Sequence, residues 1–243
     1  MTRLGFVYPG GGAEHDYYRF AEAHGFRVFL AGSRIPAGDD HDPEALRQTA
    51  RVEHIVEAAL RLVTLRIDAV LWACTSGSFI LGRAGAEAQA RALGEATGKP
   101  ATSTSLAFIA ALDRLGARRV AVLATYPEPA SRAFEAFLGE HGVAVDKLAW
   151  LDAPSGFDAA TIDERRLTAT LATLDLRRAE AVLIPDTALP SLDLVDRLEA
   201  ACGRPVLTAN QVTIWAGLGL AGRPLTAPGF GRLFAMPHRD GPQ

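Results

Sequence analysis

The chain reads as an α/β protein of two similar lobes, each built on a mainly parallel four-stranded sheet. Three observations carry that reading: short, near-continuous apolar runs, helical periodicity in the segments between them, and an internal repeat of three blocks in matched order. Apolar runs of that kind are how strands look when helices cover both faces of a parallel sheet.

Taken in order, the runs at 4–9 (LGFVYP), 26–30, 69–73 (AVLWA), 120–124 (VAVLA), 181–184 (AVLI) and 205–207 are expected strands, each bounded by turn residues. Helices are expected at 43–63, 105–115, 129–141, 192–201 and 211–220, with Gly116, Gly142 and Gly203 where C-terminal caps belong. Gly, Pro, Ser and Asp concentrate at 10–12, 32–42 and 152–158, which read as long connections or lids.

The repeat pairs RLGFVYPGG from Arg3 with RVAVLATYPEP from Arg119, and DAVLWACTSGSF from Asp68 with EAVLIPDTALPSL from Glu180. It also pairs KPATSTSLAFIAAL from Lys99 with RPVLTANQVTIWAGL from Arg204. Two lobes follow, 1–115 and 116–243, related by a pseudo-two-fold axis, with the C-terminal segment free to pack across them. Ligands of open α/β sheets bind beyond the carboxyl ends of the strands, so the site is expected in the cleft between lobes.

Composition removes several function classes. The 243 residues carry 25 basic and 28 acidic side chains, a formal net charge of −3, with no basic stripe for nucleic acid. No apolar run approaches the ~18 residues of a membrane span. Two cysteines build neither a disulfide framework nor a four-thiolate zinc site, and MTRLGFVYPG lacks the pattern of a secretory leader, so a reducing cytoplasm is expected. Lys99 and Lys147, the two lysines, leave few candidates for Schiff-base chemistry. A small molecule is the expected ligand.

Aligning the repeat places Cys74-Thr75-Ser76-Gly77 opposite Asp186-Thr187-Ala188-Leu189. A cysteine where a strand ends and a helix begins meets unpaired backbone N–H groups and the positive end of the helix dipole, which favour the thiolate. Cys74 is therefore expected to be reactive, the alternative being simple packing of a small apolar residue. Cys202, in LEAACG at a helix end, reads as a packed core thiol. Thr75, Ser76 and Ser78 suit one carboxylate, and Thr187 suits a second by symmetry, with N-capping as the competing role. Tyr126 follows the first strand of the second lobe and is expected to aim its hydroxyl at the cleft. Ser103, Thr104 and Asn210 close the third repeat blocks and are candidate binding groups, or caps. Gly10 and Gly11 offer backbone N–H groups after the first strand, although GGG matches no nucleotide-binding spacing. Glu14-His15-Asp16 and Asp39-Asp40-His41-Asp42 contain metal-ligand types without ligand spacing and read as solvated loop charge, so no metal is expected. His24, His54, His141 and His238 read as surface or capping residues, and Trp72, Trp150 and Trp215 as packing.

At Cys74-Thr75-Ser76-Gly77-Ser78, Tyr126, Ser191-Leu192-Asp193, Asn210-Gln211 and 228–234 (PGFGRLF), the chain resembles the maleate isomerase and arylmalonate decarboxylase branch of the aspartate/glutamate racemase superfamily. The resemblance spans nearly the whole chain. It implies two flavodoxin-like lobes, no metal or organic cofactor, and paired cysteines acting on the two faces of a small carboxylic acid. It also implies a homo-oligomer. Cys74 falls on the nucleophilic cysteine of maleate isomerases, which arylmalonate decarboxylases lack. Thr75, Ser76 and Tyr126 fall on the decarboxylase groups that cradle a carboxylate and an enediolate. Two positions depart from the pattern: Asp186 stands in place of the second cysteine, and Pro9-Gly10-Gly11-Gly12 replaces an Asn-bearing loop. A buried carboxylate whose pKa is raised can act as acid or base, so Asp186 keeps a two-face mechanism available, the alternative being that it binds a cationic or hydroxylated group of the substrate. The expected function is cofactor-independent cis–trans isomerisation or racemisation of a small carboxylic acid by Cys74 and Asp186. The alternatives are a malonate-type decarboxylase with Cys74 as proton donor, or a non-catalytic carboxylate-binding relative.

Overall fold

Two four-stranded sheets, all of whose strand pairs are parallel, organise the molecule. The computed structural model describes residues 1–35 and 40–237. The strands are β1 (Arg3–Tyr8), β2 (Arg27–Gly32), β3 (Ala69–Trp72), β4 (Ala101–Ser103), β5 (Arg119–Ala124), β6 (Ala144–Trp150), β7 (Ala181–Ile184) and β8 (Val206–Thr208). The orders β2-β1-β3-β4 and β6-β5-β7-β8 are the same arrangement used twice, the structural counterpart of the sequence repeat. Central strands β3 and β7 are buried at every position, which is why they read as unbroken apolar runs.

The helices are α1 (Glu14–His24), α2 (Pro43–Thr49), α3 (Val52–Val63), α4 (Ser76–Phe79), α5 (Gly82–Thr97) and α6 (Thr104–Leu115) in the first half. In the second half they are α7 (Glu128–Glu140), α8 (Gly156–Ala159), α9 (Glu164–Leu171), α10 (Val195–Cys202), α11 (Ala209–Leu220) and α12 (Gly231–Ala235). The single helix expected over 43–63 is two. Asp42 caps α2 by accepting from the N–H of Glu44 and Ala45. The helix then breaks at Ala50, whose carbonyl accepts from Gln89 Nε2 at 2.7 Å in place of a helical partner. Asp16 is not solvated loop charge: α1 begins at Glu14, and Asp16 is 4% exposed in its first turn.

The helices that follow the fourth strands cross over. Phe108, Ala111 and Leu112 of α6 pack with Val120, Val122, Leu183 and Leu207 of the second sheet. Ile214 and Leu218 of α11 pack with Leu4, Phe6 and Leu71 of the first, joined by Phe234 of α12. Gly217 permits the approach, because a Cβ there would stand 3.0 Å from Leu71 Cδ1 and 3.2 Å from Leu4 Cδ1. The lobes thus share apolar interior, and this close packing fixes how their loops face each other.

Candidate active site

The site residues come from the carboxyl ends of β1, β3, β5 and β7, where four connections meet. Cys74 follows β3 and is 4% exposed. Its Sγ lies 3.3 Å from the Gly77 N–H, which donates to it from the first turn of α4, and 3.7 Å from Ser76 Oγ. Gly77 is a steric requirement, since a Cβ there would sit 3.1 Å from the sulfur and 3.0 Å from the Trp72 ring.

Asp186 follows β7 and is also 4% exposed. It holds φ at +128°, a conformation unfavourable for a side chain with a Cβ. Its Oδ2 accepts from Thr125 Oγ1 at 2.6 Å and its Oδ1 from the Ala188 N–H at 2.9 Å. Burial pushes the carboxyl above its ordinary range, while His41, Thr125 and Ala188 pull it back.

His41 belongs to the acidic cluster that the sequence suggested was solvated, yet it is buried. Its N–H donates to the Pro154 carbonyl at 2.8 Å, its Nδ1 lies 2.9 Å from the Ala153 carbonyl, and its Nε2 lies 3.8 Å from Asp186 Oδ2. The neighbouring Asp40 forms an antiparallel bridge with Ser155. This strip closes one wall of the site. Asp39 and His238 lie outside the described residues.

Tyr126 is buried, its ring edge-to-face with His41 at 4.7 Å. Burial is the main reason its pKa stands well above 10, with Asp186 and Cys74 adding to the rise and the hydroxyls of Thr75 and Ser76 opposing it. Tyr126 thus remains a neutral donor over the working pH range. Tyr8, at the end of β1, donates to the Thr187 carbonyl at 3.1 Å and ties the loops of the two lobes together.

Cys74, Ser76, Asp186, Thr187 and Gly10 all line one cavity, together with His41. Gly11 is buried beside Gly10, with φ at +122°. Ser103, Thr104 and Asn210 are not among the residues lining that cavity. Ser103 Oγ pairs with Ser78 Oγ at 2.7 Å and caps α6 through the Leu106 N–H, while Thr104 Oγ1 pairs with Thr213 Oγ1 at 2.7 Å. Asn210 donates to Asp16 Oδ2 and accepts from Tyr17, forming a buried bracket between α1 and α11. Capping and inter-lobe bonding occupy these three side chains. Cys202 is partly buried at the end of α10 and is not among the residues lining the cavity.

His41 is the residue that sequence reasoning missed. Its signal was its neighbour Asp42, an N-cap followed by Pro43, which sets His41 immediately before a helix instead of in open loop. Among the described residues no cluster of three or more His, Cys, Asp or Glu is placed to hold a metal ion, and no helix is long and apolar enough to cross a membrane.

Comparison with known proteins finds relatives over most of the chain. Residues 44–234 match the family model described as arylmalonate decarboxylase. Arylmalonate decarboxylase of Bordetella bronchiseptica is 33% identical over 84% of this chain and 82% of its own length. Maleate isomerase of Pseudomonas putida KT2440 is 26% identical over 73% of each chain. The crystal structure of a maleate isomerase variant from Pseudomonas putida S16 with maleate superposes with a TM-score of 0.88 at 24% identity, covering 96% of this chain and 97% of that one. The chain belongs to the arylmalonate decarboxylase family, whose branch includes the maleate isomerases.

Proposed function

We propose that this chain is a cis–trans isomerase of a small unsaturated dicarboxylic acid such as maleate, acting through Cys74 and requiring no cofactor. One observation carries the reading: a buried thiol that accepts a backbone N–H lines one cavity with His41 of its own lobe and with Asp186 of the opposite lobe. The similarity to maleate isomerases supports the substrate class. The Cys74 thiolate adds to one carbon of the cis double bond, the central bond becomes single and rotates, and elimination releases the trans acid. Ser76, Thr75 and Tyr126 stabilise charge that spreads onto a carboxylate during addition.

Decarboxylation is the second reading, supported by the 33% identical relative and the family model. An aryl group and a carboxylate about to leave as CO2 favour an apolar pocket. Here Asp40, His41 and Asp186 stand in the lining, which favours isomerisation.

Proton NMR of maleate and of an arylmalonate in D2O, followed with wild type and Cys74→Ala, tests both readings. Wild type is expected to yield the trans acid, and Cys74→Ala to lose at least ~10³-fold in rate. Equal rates for the two proteins overturn the thiolate mechanism, and loss of a carboxyl group from the arylmalonate alone establishes decarboxylation instead.

A further inference from the structure

Two ionisable groups, not one, line the cavity with Cys74, and their hydrogen bonds divide the labour between them. Asp186 is held on both oxygens: Oδ1 accepts from the Ala188 N–H, a donor that cannot reverse, and Oδ2 accepts the short bond from Thr125 Oγ1. Such a carboxylate is anchored as an acceptor. His41 is arranged differently. A carbonyl oxygen only accepts, so the 2.9 Å contact with Ala153 keeps a hydrogen on Nδ1 and leaves Nε2 as the atom that gains and loses a proton. Nε2 stands 3.8 Å from Asp186 Oδ2, beyond a direct hydrogen bond, in the lining of the cavity that Cys74 also lines. The Tyr126 ring, packed edge-to-face, limits the imidazole's rotation.

Resting on the isomerase reading, we propose that His41 Nε2 is the proton-transferring atom that works with Cys74, with Asp186 a positioning residue that orients His41 and balances its charge. As the C–S bond forms, the π electron pair moves to the neighbouring carbon, which takes the Nε2 proton and leaves a neutral imidazole. After rotation Nε2 removes a proton from that carbon, the double bond re-forms, the C–S bond breaks, and the thiolate leaves. Atoms and charge balance over the cycle. The strained backbone of Asp186 is then explained, since its φ of +128° sets the carboxylate between Thr125, Ala188 and the imidazole.

The variants His41→Asn and His41→Ala separate this role from a structural one. Asn keeps a donor at the position of Nδ1, and hence the bond to Ala153, but has no Nε2. With maleate as the probe, His41→Asn is expected to keep its fold and its rate of Cys74 alkylation by iodoacetamide while turnover falls ~10²- to 10⁴-fold. Free imidazole is expected to restore part of the turnover of His41→Ala and none of that of Cys74→Ala. Asp186→Asn is expected to lower kcat with little change in KM, without imidazole rescue. Turnover by His41→Asn within about threefold of wild type, with Asp186→Asn inactive, overturns the proposal and returns the proton to Asp186.

Wild type inert on maleate overturns the isomerase reading instead. The ring assignment is then decided by two-dimensional ¹H–¹⁵N spectra of the histidine side chains. His41 is expected to retain the Nδ1 hydrogen in its neutral form. The groups facing the ring are Asp186 and Tyr126, with Asp40 and Asp42 on its own strip. A neutral ring carrying its hydrogen on Nε2 sinks the division of roles.

Discussion

The N–H of Gly77 points at the sulfur of Cys74 from 3.3 Å, and the missing Cβ of Gly77 is what lets Trp72 and that sulfur share the space. A methyl group added there would meet both at about van der Waals overlap. Gly77→Ala is therefore expected to destabilise the protein by ~1–3 kcal/mol through overpacking and to slow Cys74 alkylation, because the sulfur must give way from its donor. Chemical denaturation and iodoacetamide kinetics check the two effects. Unchanged alkylation means that the N–H contact does not govern the thiol.

Thr125 supplies the short hydrogen bond that helps hold the Asp186 carboxyl down against its burial. Thr125→Val keeps the shape and removes the donor, so the Asp186 pKa rises further and the carboxylate is lost at higher pH. Any step that needs Asp186 ionised then fails at higher pH, moving the acidic limb of the kcat profile upward. A loss of ~1.5–3 kcal/mol in stability is expected where Asp186 is ionised, shrinking as it protonates. Thr125→Ser should recover both properties.

The sequence carried the fold further than it carried the site. β3 and β7, buried at every position, were legible because a strand covered on both faces needs an apolar side chain at each residue, and turn residues mark where each run stops. The edge strand β6 was not, since half-exposed positions in AVDKLAW interrupt the run. α5 was missed because GRAGAEAQARALGEAT presents mostly alanines and glycines where an apolar stripe would be, and small residues suffice for a helix that packs closely. At the site, Cys74 and Asp186 were found through the repeat, which compares like positions. His41 and Asp16 escaped because each lies in a charged run, and burial of a charged side chain is decided by partners distant in sequence. Nothing in Asp40-His41-Asp42 encodes the carbonyl of Ala153.

Crossed helices make the two lobes interdependent. Phe234 of α12 is fully buried, 5.0 Å from Phe20 of the first lobe. Phe234→Ala is expected to cost ~3–5 kcal/mol and to lower the stability of both sheets together, seen as a single shifted urea transition by fluorescence and circular dichroism. A fragment ending at residue 115 lacks the α11 residues that cover Leu4, Phe6 and Leu71, so it is expected to unfold without a cooperative transition. Two separate transitions in the intact chain would mean the lobes stand alone.

Asp16 joins the lobes through charge. Its Oδ2 accepts from the N–H groups of Ser191 and Leu192 and from Asn210 Nδ2, at 3.1, 3.2 and 2.9 Å. Burial nevertheless outweighs these donors and leaves its pKa above the ordinary 3.8. The sign follows from proton binding. Between 3.8 and the raised folded value, the folded chain binds more protons at Asp16 than the unfolded chain, so its contribution to stability falls as pH rises through that window and is flat above it. Asp16→Asn keeps an oxygen for the three donors and removes the ionisation. The stability difference between variant and wild type should therefore move in favour of the variant as pH rises from about 4, then level off. Urea denaturation of both proteins at a series of pH values measures that difference. A difference independent of pH would show that Asp16 titrates alike in the folded and unfolded chains, and that its three donors fully offset its burial.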